Sequence, residues 1–137
     1  MFEKIRVRQN LETPLLDFFQ VHSFFVEQVT DKVLRVNRTG EVPVFLNVDE
    51  KTVYFEVDLG NIAGFANEEL YFKLLDLNTE ILPVSVGINS TKKADPRLVL
   101  VESREVKNLD ENELLTVFAA LELAVDKVEE VLSEYLK

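Results

Sequence analysis

Residues 53–60 read VYFEVDLG, and their apolar and polar positions alternate without a break. Val53, Phe55, Val57 and Leu59 fall on one side of an extended chain, and Tyr54, Glu56 and Asp58 on the other. Period-two alternation of this kind fits a strand with one buried and one wetted face. Such a strand belongs in an antiparallel sheet, because parallel strands are covered on both faces. The preceding segments continue the pattern. KVLRVNR (32–38) turns at Thr39-Gly40, and EVPVFLNVD (41–49) sets Val42, Val44, Leu46 and Val48 on one face before the turn DEKT (49–52). Three strands joined by short turns predict an antiparallel meander. Pro43 has no N–H to give to a ladder, so its strand is expected to meet a sheet edge near its start.

Helices are expected on both sides of this meander. In LETPLLDFFQVHSFFVEQV (11–29), Thr13 can act as N-cap and Pro14 fits the first turn, where a missing N–H costs nothing. The helix is expected to stop near His22-Ser23 or to run as far as Val29, and residues 24–29 fit helix or strand. NIAGFA (61–66) reads as a loop. Asn67 then caps a helix that has Glu68 and Glu69 in its first turn, where the helix dipole favours anions. Leu70, Leu74, Leu77 and Ile81 mark its buried stripe, and Pro83 is expected to end it.

The stretch LPVSVGINSTKKADPRLVLVES (82–103) holds two apolar runs around a polar centre. A Walker-type phosphate loop needs G-x-x-x-x-G-K-[ST] leading into a helix. Here Gly87 stands alone and the next apolar run, RLVLV (97–101), is a strand pattern, so the segment predicts a β-hairpin. Asn89 to Pro96 are turn-compatible residues. Four consecutive apolar positions in the second arm suggest a strand covered on both faces. The last helix is expected from about Glu111 to Leu136. Asp110 and Glu113 form a D-x-x-E variant of the capping box, and Leu109 and Leu114 stand at hydrophobic-staple positions. Leu114, Phe118, Leu121, Val125, Val128, Leu132 and Tyr135 make one stripe, while Val117, Ala120, Leu123 and Ala124 widen it. A helix apolar nearly all round needs cover on more than one side. A second copy of the chain is one expected source of that cover.

The resulting expectation is a single α+β domain over residues 1–137, ordered α-β-β-β-α-β-β-α, with about five antiparallel strands and helices packed on them. A chain of this length can bury roughly two-thirds of its unfolded surface. Hydrophobic residues make up 47% and charged residues 29%, a globular and not a disordered balance. The net charge of −10 argues against a nucleic-acid partner, which would demand lysines and arginines, and against an anionic membrane surface. There is no cysteine, so no disulfide, thiolate nucleophile or cysteine-metal site exists. MFEKIRVRQN lacks the apolar centre of a signal peptide, and no run of about 18 apolar residues occurs. A cytoplasmic location is therefore expected. The glycosylation patterns at Asn37 and Asn89 carry no meaning in that compartment.

No constellation announces catalysis. His22 is the one histidine, no G-x-S-x-G elbow is present, and no spacing of carboxylates around His22 suggests a metal site. The acidic groups Asp49-Glu50, Glu68-Glu69, Asp110-Glu111-Glu113 and Glu129-Glu130 sit at turns, helix starts or solvated faces. No catalytic, cofactor-binding or metal-ligating residue is assigned. Phe18, Phe19, Phe24 and Phe25 crowd one short region, and a core role is favoured over a binding surface.

LYFKLLDLNTEILPVSVGIN (70–89) and RLVLVESREVKNLDENELLTVFAALELAVDKVEEVL (97–132) resemble the type III secretion chaperones of the Tir-chaperone kind and their YbjN-like relatives. The first stretch is similar to the family's helix that runs into a strand. The second is similar to its strand, acidic helix cap and long final helix. The meander matches in layout. The resemblance implies a non-enzymatic homodimer that holds a protein partner in an extended state, through apolar surface and strand edges. Candidate interface residues are Val117, Leu121, Ala124, Val125 and Val128 on the last helix, with Pro43, Phe24 and Phe25. No cofactor is implied, and the partner's identity is open. Alternatives are a regulatory or structural subunit of a larger complex, and a small enzyme using Glu56 and Asp58 in a pocket.

Overall fold

The computed structural model describes residues 4–6 and 12–136, with side chains from Leu15 onward. Most of MFEKIRVRQN, read above for a leader, lies outside the described residues. Strands β1 (Lys4–Arg6) and β2 (Glu12–Pro14) pair antiparallel as a small ribbon. Helix α1 (Leu15–Val21) follows at once. The helix thus starts later than a Thr13 cap implies. Thr13 belongs to the ribbon, opposite Ile5, and its side chain lies outside the described residues.

The helix stops at the earlier of the two expected points. The His22 N–H still donates to the Phe18 carbonyl, but Ser23 takes φ 64° and the chain reverses. Residues Phe25–Gln28 then form β3, a strand that the expected order lacked. Its cause is partnership: their backbone groups pair with β4 (Val33–Asn37), with Val26 opposite Val36. Strands β5 (Val44–Val48) and β6 (Thr52–Asn61) complete the meander. The hairpin expected at 82–103 is present as β7 (Ser85–Asn89) and β8 (Arg97–Glu105). Its tip holds Lys92 and Lys93, both exposed. The main sheet has six antiparallel strands in the order β3-β4-β5-β6-β8-β7.

This order corrects the edge reading of Pro43. Strand β5 is interior, paired with β4 through Val36–Val44 and with β6 through Phe45–Glu56. Pro43 stands just before the strand, so its missing N–H removes nothing from either ladder. The free edges belong to β3 and β7.

Helix α2 (Glu68–Leu77) is capped as expected, with the Asn67 side chain accepting from the Leu70 N–H at 2.8 Å. It ends at Leu77 and not at Pro83. Thr79 and Glu80 close a turn that leads to the buried Ile81 and to a cis Leu82–Pro83 bond. Helix α3 (Glu111–Leu132) starts at the expected cap: Asp110 accepts from the Glu113 N–H at 2.8 Å, and Leu109 and Leu114 are both buried. It ends before Tyr135.

All three helices share one hydrophobic core with the sheet. Phe118 of α3 is its hub. Its ring centroid lies 5.5 Å from that of Phe19, 4.8 Å from Phe24 and 6.0 Å from Phe55. Helix α1 thus covers one flank of α3. Helix α2 joins its far end: Lys73 Nζ meets Glu134 at 2.7 Å, and the Tyr135 hydroxyl donates to Glu69 at 2.6 Å. The expectation that a second copy supplies the extra cover of α3 is therefore corrected. The sheet, α1 and α2 all belong to the same chain and together bury the stripe from Leu114 to Leu132, while Leu123 stays 58% exposed on the outer side.

Candidate functional site

Burial decides which of the expected interface residues can meet a partner. Val117, Leu121 and Val128 have no exposed surface, and Ala124 and Val125 are at 3% or less. Phe24 is buried at the α1–α3 junction, under the Arg38 guanidinium at 5.1 Å. Pro43 is half-buried. Phe25 alone among them is broadly open, at 62%. It points to the sheet face away from the helices, opposite Asn37.

The open apolar surface lies elsewhere. Tyr71, Phe72 and Leu75 project from α2, Leu82 from the following turn, and Ile88 from β7, with Phe72, Leu75 and Leu82 near 70% exposed. Tyr71, Leu74, Leu75, Val86, Gly87 and Ile88 line a groove of about 240 Å³. Gly87 helps to form it by presenting no side chain. The signal was in the sequence: Leu70, Tyr71, Phe72, Leu74, Leu75 and Leu77 exceed one helical stripe. Helix α3 shows the same excess, but there the chain's own elements cover most of it. Large apolar side chains grouped in the open mark contact surfaces.

A second feature lies on the uncovered sheet face. Register places Tyr54, Glu56, Val101 and Ser103 together there, with Tyr54 opposite Ser103 and Glu56 opposite Val101. With Pro83 and Ser85 at the edge they line a cleft of about 600 Å³, to which Phe55, Glu102 and Arg104 also contribute. Burial pushes the Glu56 carboxyl above its ordinary range, and the nearby Asp58 adds to this. Glu102 and Arg104 occupy the opposite, helix-side face. Arg104 Nε donates to Glu102 Oε2 at 2.8 Å, while Glu102 Oε1 has no partner among the described residues. Burial pushes Glu102 up as well, against the pull of Arg104.

Of the two carboxylates Glu56 and Asp58, the second is already engaged. Asp58 accepts from Arg97 Nε at 3.2 Å, in a network where Arg97 also reaches Asp95 and Asn61 donates to Asp95 at 2.7 Å. That network ties down the root of the β7–β8 hairpin and holds Asp95 below its usual range, through Arg97 first and Asn61 second. His22 is equally occupied. Its Nε2 sits 3.0 Å from Glu111 and its ring 4.6 Å from Phe18, which joins the end of α1 to the start of α3. Among the described residues no group of three metal-ligating side chains converges. No helix there is long and apolar enough to cross a membrane.

Known proteins share this architecture. One chain of the heterodimeric ExoU-SpcU complex from the type III secretion system of Pseudomonas aeruginosa superposes with a TM-score of 0.68 at 17% identity, over 85% of this chain and 96% of that one. YbjN, a putative transcription regulator from E. coli, superposes with a TM-score of 0.50 at 16% identity, over 88% of this chain and 84% of that one. At such identities the likeness is one of fold. No curated protein sequence matches the chain. The CesT_Tir_1 family model, by contrast, matches residues 8–137. The chain therefore belongs to the CesT_Tir_1 family of type III secretion chaperones.

Proposed function

We propose that the chain acts as a homodimeric, non-enzymatic chaperone-like protein of the cytoplasm. A second copy covers the α2–β7 face, and an extended protein partner is held through apolar surface and strand edges. The observation that carries this reading is the exposed apolar group Tyr71, Phe72, Leu75, Leu82 and Ile88 beside the free β7 edge. A polar rim borders it, with Glu68, Asp76 and Asn89 all exposed. In a two-fold contact the same apolar patch on each copy meets the other. The family match and the protein complex to which one structural neighbour belongs support a protein partner.

The test is the mass of the particle in solution. Light scattering on the wild-type chain should give twice the chain mass. Leu75→Glu should give the chain mass with unchanged circular dichroism, because the side chain is already in water in the monomer. A monomeric wild-type chain, or a Leu75→Glu variant that remains a dimer, rejects this surface.

A further inference from the structure

Strand β8 is longer than its partner. It pairs with β7 from Arg97 to Val101 and with β6 from Arg97 to Glu105. On the side away from β6, residues Glu102 to Glu105 have no strand beside them. The chain that could have continued β7 turns aside: Pro83 has no N–H, and the Val84 N–H donates to the Ile81 carbonyl at 2.9 Å within its own turn. A short length of strand edge is left open at the mouth of the 600 Å³ cleft. Open edges of this kind accept an added strand through main-chain hydrogen bonds.

We propose that the edge of β8 at Glu102–Glu105 takes a short extended peptide segment that carries a lysine or arginine, with Glu56 as the carboxylate that receives the cation. This rests on the partner-binding reading above and names the chemistry of the partner.

Charge complementarity selects that occupant. Glu56 stands between Phe45 of β5 and Val101 of β8, two apolar neighbours on the uncovered face. It makes no ion pair among the described residues. Arg104, the one basic side chain that lines the cleft, is committed to Glu102 and lies on the helix side. Glu56 is therefore a half-buried carboxylate whose charge is uncompensated locally, and burial and Asp58 both press against its ionised form. A partner's cation relieves that pressure. The reach is suitable, since a strand added beside β8 lies two strand spacings, roughly 10 Å, from β6. Ser85 already fills the place beside Val101, so the added residue on this face stands opposite Ser103 and its span to Glu56 is diagonal, roughly 12 Å, which an extended lysine or arginine meeting the Glu56 side chain covers with its stem along Ser103 and Val101. The chain's net charge of −10 adds long-range attraction for basic segments.

The experiment uses the full chain and a set of three short peptides: alternating valine and lysine, and the same peptide with leucine or glutamate replacing lysine. Amide shifts in nuclear magnetic resonance locate each peptide, and fluorescence anisotropy gives affinity. The lysine peptide should move the amides of Glu102 to Glu105 and of Tyr54 to Glu56. It should bind roughly ten-fold more tightly than the leucine peptide, as expected for a rim charge pair, with the gap closing as salt rises. Glu56→Gln should remove that preference without lowering the thermal melt of the protein, since burial and Asp58 already disfavour the charge it removes. Equal binding of the lysine and glutamate peptides, a preference retained in Glu56→Gln, shifts confined to other strands, or no binding at all each overturn the proposal. The dimer reading fails separately, because particle mass depends on the α2–β7 face and lysine preference on Glu56.

Discussion

Phe55 on β6 stands opposite Glu102 on β8, on the helix side of the sheet, so a carboxylate shares the core face with a fully buried ring. Among the described residues Glu102 is the one charged residue that is buried, with Arg104 on one oxygen and no partner on the other. Burial without full satisfaction is costly for a charge. Because the folded-state pKa lies above the unfolded one, the stabilising contribution of Glu102 is complete below its unfolded value and is lost as pH rises through the folded one. Glu102→Gln is expected to raise stability at pH 7.5 by about 1 kcal/mol, with a smaller gain at pH 5. Urea denaturation at both pH values measures this, and a destabilised variant at pH 7.5 shows the prediction wrong.

Phe118 meets Phe19, Phe24 and Phe55, which come from α1, the turn after it and β6. Phe118→Ala leaves a cavity at the meeting point of three elements and should cost about 3–5 kcal/mol. Chemical denaturation is the measurement; a loss below about 1 kcal/mol contradicts the hub assignment.

A charge at Leu121, by the same logic, unfolds the chain and does not split a dimer. Leu121→Asp should lose near-UV dichroism and cooperative melting, because the residue has no exposed surface. A folded monomer as the product is the contrary result, and it returns α3 to the interface.

Asp110 holds the first turn of α3 through the Glu113 N–H. Asp110→Ala should lower stability by about 1 kcal/mol, and Asp110→Ser by less. Two variants melting alike count against the capping role.

Arg38 closes a two-pronged contact on Glu122 of α3, with Nε donating at 2.9 Å, and its guanidinium also lies over Phe24. Both partners are partly exposed, so solvent weakens the pair. A double-mutant cycle with Arg38→Ala and Glu122→Ala should give a coupling of about 0.5–1 kcal/mol that falls in high salt. Zero coupling at low salt excludes the pair as a contributor.

The meander, the hairpin, the caps at Asn67 and Asp110 and the long last helix were legible because each rests on local chemistry: alternation, turn residues and side chains that bond nearby N–H groups. Strand β3 was not. FVEQ is too short to show a period, and only β4 makes it a strand. Pro43 misled because a proline before a strand and one inside an edge strand look the same in sequence. The interface residues on α3 misled for a related reason. Apolar excess says that a helix is covered, and tertiary packing alone says by what. On α2 the same excess, left unread, turned out to be the open surface, since β7 and α3 cover just the Leu70, Leu74 and Leu77 side.

The two outermost strands of the main sheet, β3 and β7, are separated by four others. Five spacings of a sheet amount to roughly 24 Å. An extended chain advances roughly 3.3 Å per residue, so about seven residues are needed to cross from one border to the other. Short segments can therefore occupy one border at a time. A longer one can hold both, and would gain from the second contact the benefit of tethering, at no cost in new recognition chemistry. Under the proposed function, the width of the sheet would therefore set the shortest client chain able to hold both borders at once.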